Sequence, residues 1–370
     1  MAASQNAGRE PTKATIVGES DHIVAETAAR ILAEFADPQT INRTKDGAWR
    51  GRLWRTVSDA GLPLAWVPEQ LGGSGASLAD GFAVLGAAGR FAVAIPLAET
   101  LLAGWLLARA GLASPDGAMT VAPARPLNRI TLGKGGTLSG RAFGVPFASD
   151  APHIAVIAED ATDAAVVVVA AKDCEIDKGH TPAGDASNIV VFDGVKPLRH
   201  ARAPAGLDCA GLMLMGSVIR SVQTAGALEA ILSLSVAYAN ERIAFERPIG
   251  KFQAVQQNLA RLAGEVAAAL AVSGSAVDAL ARESAFDDAV FLEAASAKIR
   301  CAEAATEGAG IAHQVFGAIG FTDEHVLHRF TLRLLAWRDD FGNESYWAAE
   351  LGRRVARQGA DEFWPLVASR

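Results

Sequence analysis

The chain has 370 residues, of which 50% are apolar and 20% charged, and its formal net charge is −7. This length and composition predict a folded protein with two or three domains or one large multilayer unit, and they exclude a disordered chain. The acidic balance argues against a nucleic-acid or membrane-surface protein, because both bind through basic faces.

The predicted elements begin with helices. Apolar residues at helical spacing predict helices over 21–35 and 49–60, and Ser77 with Asp80 forms a capping pattern for a third helix. A fourth helix is predicted over 96–111. Together these make an N-terminal helical domain over residues 1–112.

Between residues 113 and 205 the pattern changes to short β-rich runs separated by Gly, Pro, Asp and Asn. The runs lie at 129–132, 153–158, 165–170 and 189–192. They predict a small middle domain of hairpins, a β-barrel or sandwich. The predicted fold class is therefore α+β and mostly α.

Long alanine- and leucine-rich helices follow over 211–246, 251–284 and 287–316, with a last helical stretch from about 325. Helices of this length pack as an antiparallel four-helix bundle, here over residues 206–370. The longest apolar runs are shorter than a membrane span, so we expect no membrane segment.

The cysteines and the N-terminal residues indicate the cellular compartment of the protein. Cys174, Cys209 and Cys301 lie far apart and form no CxxC pair. They indicate neither a disulfide framework nor a zinc site, and they favour a reducing cytoplasm. The first residues lack the charged-then-apolar pattern of a secretory signal.

The stretch YANERIAFERPIGKFQAVQQNLA is the first candidate for function. Arg242 stands near a predicted helix end, where its planar fork can bind a phosphate or can pair with Glu241 or Glu246. Gln253 and Gln256 follow a rigid Pro-Ile-Gly turn. Their amides suit a heteroaromatic edge or ribose, although such glutamines also occur on solvated helix faces.

The stretch HQVFGAIGFTDEH is the second candidate. Gln314 precedes Gly317, where small residues allow the backbone to approach another surface closely, unless the glycine is a simple helix cap. His325 and His328 have no matched third ligand and no HExxH pattern, so no metal site is indicated.

These two stretches resemble the Arg-x-x-Phe-Gly-x-Pro-Ile and Gln-x-x-Gly-Gly-x-Gly-Phe-Thr segments of the acyl-CoA dehydrogenase family. LGGSGASLADGFAVLGAAGR resembles the family's N-terminal turn and helix. The resemblance covers nearly the whole chain. It implies bound FAD, an acyl-CoA substrate, α,β-dehydrogenation of the thioester and a tetrameric assembly, with an electron-transfer flavoprotein as acceptor.

The same resemblance implies roles for individual residues. Arg242 would reach across a subunit interface to the FAD pyrophosphate. Phe245, Gln253, Gln314 and the backbone at Gly317 and Ala318 would contact the adenosine or phosphate part of the same FAD.

Departures from the family pattern concern the catalytic base. The position of the common catalytic glutamate is Phe341, and the position used by a second family branch is Gly216. Asp339, Asp340 and Glu344 are nearby carboxylates. Asp340 is the nearest candidate, but its shorter side chain would have to reach the same proton.

The middle domain also departs from the family, because its Thr-Glu-Pro stretch and its Trp-Ile-Thr flavin wall have no counterpart. The equivalent place is GRAFGVPFASDAPHIAVIA, from Gly140. Some family members are heteromers, in which a short, degenerate chain completes the cofactor site of a related chain, and these pairs often act on bulky acyl groups. Three hypotheses follow: a complete dehydrogenase, a base-lacking subunit of a heterotetramer, or a binding protein that has lost FAD.

Overall fold

The structure, a computed structural model, describes residues 20–44, 47–126, 128–160, 163–282 and 286–368. Over these ranges the N-terminal part of the chain is helical. Its α-helices are α1 (Ser20–Phe35), α2 (Pro38–Arg43), α3 (Trp49–Asp59), α4 (Leu78–Arg90) and α5 (Leu97–Arg109). The predicted cap is present, since Ser77 Oγ accepts from Asp80 N and the Asp80 carboxylate accepts from Ser77 N.

The middle of the chain forms one mixed sheet. Its strands are β1 (Met119–Ala122), β2 (Arg129–Leu132), β3 (Leu138–Pro146), β4 (His153–Glu159), β5 (Ala164–Ala170), β6 (Glu175–Asp177), β7 (Ser187–Val195) and β8 (Arg199–Arg202). The order across the sheet is β6–β7–β3–β2–β4–β5–β8, and β1 pairs with β4. β4 runs parallel to β1 and β2, so the sheet contains crossover connections besides the predicted hairpins.

The valine run of β5 shows how the sheet is anchored. Val167 and Val169 belong to a core inside the β domain. Val166 and Val168 belong to the large core that also contains residues of α5 and α6. Burial on both faces explains why this strand shows no alternation of apolar and polar residues. The sheet is therefore packed directly on the helices.

After residue 208 the chain is helical again, with a short hairpin between the first two helices. The elements are α6 (Cys209–Glu241), β9 (Ile243–Ala244), β10 (Arg247–Pro248), α7 (Gln253–Arg282), α8 (Asp288–Phe316), α9 (Leu327–Asp339), α10 (Glu344–Gln358) and α11 (Ala360–Ala368). Helices α6 to α9 pack on one another as a bundle. The predicted end of the second long helix, Ser284, lies outside the described residues. The order of helices, mixed sheet and bundle confirms the predicted fold class.

Two helices of the bundle, α6 and α7, are long and apolar enough to cross a membrane by length and composition alone. Within the structure, 50% of the apolar window of α6 is buried and 28% of that of α7. Both helices pack against α8 and against each other. Core helices of a large bundle pass the same test, so this finding is weak evidence for a membrane.

Candidate functional site

The first candidate segment is a hairpin at the end of α6, where the sequence predicts helix as far as residue 246. The helix ends at Glu241, and Arg242 is extended, with φ −72° and ψ 117°. Phe245 and Glu246 then adopt left-handed backbone angles, with φ of 51° and 66°. Two such residues cannot continue a helix, so the predicted helix end is wrong.

The hairpin presents Arg242 and Phe245 at the surface. Ile249 N donates to Arg242 O at 2.8 Å and closes the base of the hairpin. Phe245 is 89% exposed, and its ring meets the edge of Phe252 with 6.1 Å between centroids. A strained backbone that holds a large apolar ring in water is costly, which points to a role for that ring outside this chain's own core.

The two glutamines after the hairpin have different surroundings. Gln256 Nε2 donates to Gly250 O at 2.9 Å, so this amide braces the turn. Gln253 is exposed at the first position of α7. Of the two, Gln253 has its amide available to a ligand, as the resemblance implies.

The second candidate segment lies at the end of α8. Gln314 is exposed on the last turn, and Gly317 follows with φ 64° and open space around it. Phe316, between them, stacks on Tyr238 of α6 with 4.4 Å between ring centroids. Tyr238 lies in the last turn of α6, directly before the hairpin. The stack therefore ties the two predicted cofactor segments together.

A cleft of about 610 Å³ between α8 and α9 opens beside this turn. Gln314, Phe321, His328 and Leu335 are among its lining residues. Phe321 is 70% exposed and stacks on His313 with 4.2 Å between centroids. The cleft thus offers an aromatic face beside an exposed amide.

Two histidines, His313 and His325, pack around the turn at Gly317. His313 Nε2 lies 3.0 Å from Thr331 Oγ1, and its buried Nδ1 has no hydrogen-bond partner among the described residues. His325 packs on Phe316 with 4.4 Å between centroids. Burial lowers the pKa of both His313 and His325, and the nearby His328 lowers each further. The turn is therefore built around neutral imidazoles.

Phe341 and Gly216, the two positions where the family carries its catalytic base, both lie in the interior. Phe341 is 1% exposed and has a left-handed φ of 54°. Its ring occupies the space beside Gly216 in α6, since a Cβ added to Gly216 would lie 2.3 Å from the Phe341 ring. The two predicted base positions therefore meet, and the phenyl ring fills the space between them.

A buried ion network surrounds this ring. Arg220 of α6 lies 2.6 Å from the Glu99 carboxylate of α5 and 3.0 Å from the Asp340 carboxylate. Arg220 Nη1 also donates to Gln223 Oε1 at 2.6 Å. Burial raises the pKa of Glu99, although the Arg220 charge and its hydrogen bond oppose the rise. The network joins α5, α6 and the end of α9.

Lys298 of α8 reinforces the end of α9. Its Nζ donates to Trp337 O at 2.6 Å and to Asp340 O at 2.8 Å. Burial lowers its pKa to about 7, and a neutral amine still has the two N–H donors that these carbonyls accept. The backbone leading into Phe341 is thus held from inside the bundle.

Arg125 bridges the β domain and the end of α9. It donates to Asp339 O, and its Nη2 lies 3.6 Å from the Asp340 carboxylate. On the other side it covers the segment equivalent to the flavin wall, since a Cβ on Gly144 would lie 2.6 Å from Arg125 Nε. Phe341 N also donates to Ala124 O at 3.1 Å.

Sequence reasoning missed Glu99, Arg220, Lys298 and Arg125. A signal existed for the first two, because each is a charged residue inside an otherwise apolar helix face. Ionised side chains in such places are buried only with a partner, so the two charges predict each other. Arg125 follows a strand in a loop and carries no comparable signal.

Comparison with known proteins decides the family. The family model described as acyl-CoA dehydrogenase, N-terminal domain, matches residues 18–114, and the one described as acyl-CoA dehydrogenase, C-terminal domain, matches residues 210–355. The chain belongs to the acyl-CoA dehydrogenase family. This confirms the predicted activity class, FAD-linked α,β-dehydrogenation of an acyl-CoA thioester by an oligomeric flavoprotein oxidoreductase of lipid metabolism.

Relatives match along most of the chain. Acyl-CoA dehydrogenase IpdE2 of Mycobacterium tuberculosis is 29% identical over 353 residues, which cover 94% of this chain and 98% of that protein. Acyl-CoA dehydrogenase FadE27 of the same organism is 30% identical over 340 residues, covering 83% of this chain and 89% of that protein.

Two solved structures have the same fold. One chain of the ChsE4-ChsE5 complex from Mycobacterium tuberculosis has a TM-score of 0.82 at 26% identity, covering 93% of this chain and 99% of that chain. Butyryl-CoA dehydrogenase from Megasphaera elsdenii has a TM-score of 0.76 at 18% identity, covering 93% and 100%.

The residues of this chain fit one end of FAD and not the other. Arg242 and the open backbone at Gly317 suit phosphate and adenosine groups at the surface. The segment equivalent to the flavin wall is different, because the Arg125 side chain lies against Gly144 there.

Removing the Phe341 ring should destabilise the fold strongly. Phe341→Ala should cost about 3–5 kcal/mol, because it leaves a cavity that Gly216 cannot fill. Gly216→Leu alone should also destabilise through its clash, but in the Phe341→Ala background it should recover part of the loss. Urea unfolding midpoints measure all three variants.

The control is Phe143→Ala on β3, where the ring is 45% exposed and a small effect is expected. Strictly additive losses for Phe341→Ala and Gly216→Leu would contradict the contact described here.

Acid should weaken the turn that His313 and His325 support. Their folded-state pKa values lie below 6.5, so the unfolded state binds more protons as pH falls below that value. This contribution to stability is present above pH 6.5 and is lost as pH falls through the folded-state pKa. The unfolding temperature should therefore drop between about pH 7.5 and 5.5.

The variant with both His313→Gln and His325→Gln should lose less stability over the same range. His200→Gln, at an exposed position of β8, serves as the control and should behave as the wild type. Equal pH dependence in the wild type and the double variant would rule out this explanation.

Proposed function

We propose that this chain serves acyl-CoA dehydrogenation as the subunit that completes the FAD site of a related partner chain. The observation that carries this proposal is the Phe341 ring packed against Gly216. Both positions where the family carries its base are used here to fill the interior. The chain's own substrate site has been replaced by core packing and a buried ion network.

Asp340 is unsuited to the role of base. A general base needs a free lone pair beside the proton that it removes. The Asp340 carboxylate accepts from Arg220 Nε at 3.0 Å and faces Arg125 at 3.6 Å, with 5% of the residue exposed. Together with Glu99 it balances the buried charge of Arg220, and we assign it a structural role.

The exposed residues are suited to the far end of a cofactor held mainly by another chain. Arg242 offers a fork for the pyrophosphate. Phe245 offers an apolar ring, and the amides of Gln253 and Gln314 offer donors and acceptors for the adenosine. The backbone at 317–318 allows close approach. When bound, FAD supplies the hydride acceptor, and these residues bind and orient its adenosine end.

The partner that fits is a related acyl-CoA dehydrogenase chain that carries the base and the flavin wall. The similarity to a chain of the ChsE4-ChsE5 complex supports a heteromer over a homotetramer. The proposed assembly is a heterotetramer with an acyl-CoA substrate and an electron-transfer flavoprotein as acceptor. Three free cysteines agree with a cytoplasmic location.

The decisive experiment compares this chain purified alone with the chain co-purified with such a partner. Alone, it should be colourless and should not turn over acyl-CoA. The complex should contain one FAD for each pair of chains, because the Arg125 side chain lies against the flavin-wall segment of this chain. Its flavin absorbance should bleach when an acyl-CoA is added without oxygen. A yellow protein that bleaches without a partner would overturn the proposal.

Within the complex, Arg242→Ala should weaken FAD binding by about 10- to 100-fold, the loss of one or two charge-assisted hydrogen bonds. Arg261→Ala is the matched control, since Arg261 is an exposed arginine of α7 paired with Glu307. FAD titration by fluorescence measures both. Equal affinity in the two variants would remove Arg242 from the cofactor site.

Asp340→Asn separates a structural role from a catalytic one. The variant should be less stable, because Arg220 loses a buried carboxylate partner. Turnover per FAD in the assembled complex should stay at the wild-type value below the unfolding transition. A loss of turnover with FAD content unchanged would instead mark Asp340 as the base.

A further inference from the structure

Two arginines lie close together on α9, where that helix meets the β domain. Arg329 and Arg333 lie one turn apart on α9, and Arg50 of α3 acts electrostatically on Arg329. Among the described residues, the carboxylate that acts on this cluster is Asp185 of the β domain. We propose that the cluster is a binding site for a phosphate group.

Arg333 is the arginine of the site whose side chain is held in place by other residues. It is 3% exposed, its Nη2 lies 2.7 Å from the Asp185 carboxylate, and its Nη1 donates to Arg329 O at 2.9 Å. Its buried Nε has no hydrogen-bond partner among the described residues. Asp185 therefore balances the charge of Arg333 and leaves one of its donors unused.

Arg329 is the residue that lacks an anion. It is half-buried, its side chain forms no hydrogen bond or ion pair with the described residues, and its Nε is buried. Burial lowers its pKa to about 10, and Arg333 and Arg50 lower it further. A guanidinium that gives up water without gaining a partner is costly, so the cluster is incomplete without an anion.

Charge and shape favour a phosphate over a carboxylate. Arg329 and Arg333 carry two positive charges against the one carboxylate of Asp185, and the charge of Arg50 adds to the positive potential, so a phosphate anion matches the surplus. Planar guanidinium forks bind two oxygens of a tetrahedral phosphate at once. The phosphate can be inorganic or part of a nucleotide, and the chemistry at the arginines is the same.

This site is separate from the cofactor surface. It includes none of the residues assigned above to FAD, which lie on the hairpin after α6 and at the end of α8. The inference therefore does not depend on the proposed function.

Thermal unfolding of the full chain tests the proposal with inorganic phosphate and ADP as probes. Each probe, at about 10 mM, should raise the unfolding temperature by roughly 2 °C over sodium chloride of equal ionic strength. Both probes are also tested in the Arg242→Ala variant, because ADP is part of FAD and would bind the proposed cofactor surface. In that variant a response to phosphate and not to ADP assigns the site to free phosphate, and a response to both shows that it accepts a nucleotide phosphate. No response to either overturns the proposal.

Arg329→Gln distinguishes a ligand site from a structural arginine. The variant should unfold at a higher temperature than the wild type without phosphate, because it removes an unpaired buried charge, and it should lose the phosphate response. A lower unfolding temperature with the response retained would overturn the proposal. Arg50→Gln, at an exposed position, should weaken the response with little change in stability.

The control variant is Arg353→Gln on α10, where the arginine is exposed and paired with Glu350. It removes the same charge from the chain and should leave the phosphate response unchanged. A response reduced equally by Arg353→Gln and Arg329→Gln would mean a general charge effect and would overturn the site.

Discussion

The guanidinium of Arg220 is buried between α5, α6 and the end of α9. Its need for carboxylate partners determines how the neighbouring residues pack. An isolated charge at that depth would not be tolerated, and the carboxylates of Glu99 and Asp340 both contact it. Asp340 is thereby fixed at the end of α9. The next residue, Phe341, turns into the left-handed region and points its ring at Gly216. The same carboxylate faces Arg125, which ties the β domain to the bundle.

The polar groups of the interior and those of the surface therefore differ in whether this chain supplies their partners. Around Phe341 the buried charges are paired, and the Phe341 ring packs against Gly216. Outside, the hairpin after α6 and the turn after α8 carry an exposed arginine, an aromatic ring and two amides in a rigid frame. That frame is held by the stack of Tyr238 on Phe316. Such a division suits a subunit whose contribution to chemistry lies at its boundary with another chain.

Local features were predictable from the sequence, whereas contacts between distant segments were not. The cap at Ser77 and the strand at β2 follow from residue spacing over a few positions. The left-handed pair at Phe245 and Glu246 was missed because neither residue is the glycine that normally marks such a conformation. The sequence identified Phe341 and Gly216 separately as unusual. Nothing in a local pattern indicates that one fills the space of the other.

The contact between Phe341 and Gly216 also has an evolutionary consequence. A glutamate introduced at position 216 would clash with the Phe341 ring. A glutamate at position 341 would place a third carboxylate beside Glu99 and Asp340, which already pair with Arg220. Either single change lowers stability before it can restore a base. A base at either position therefore requires several coordinated substitutions.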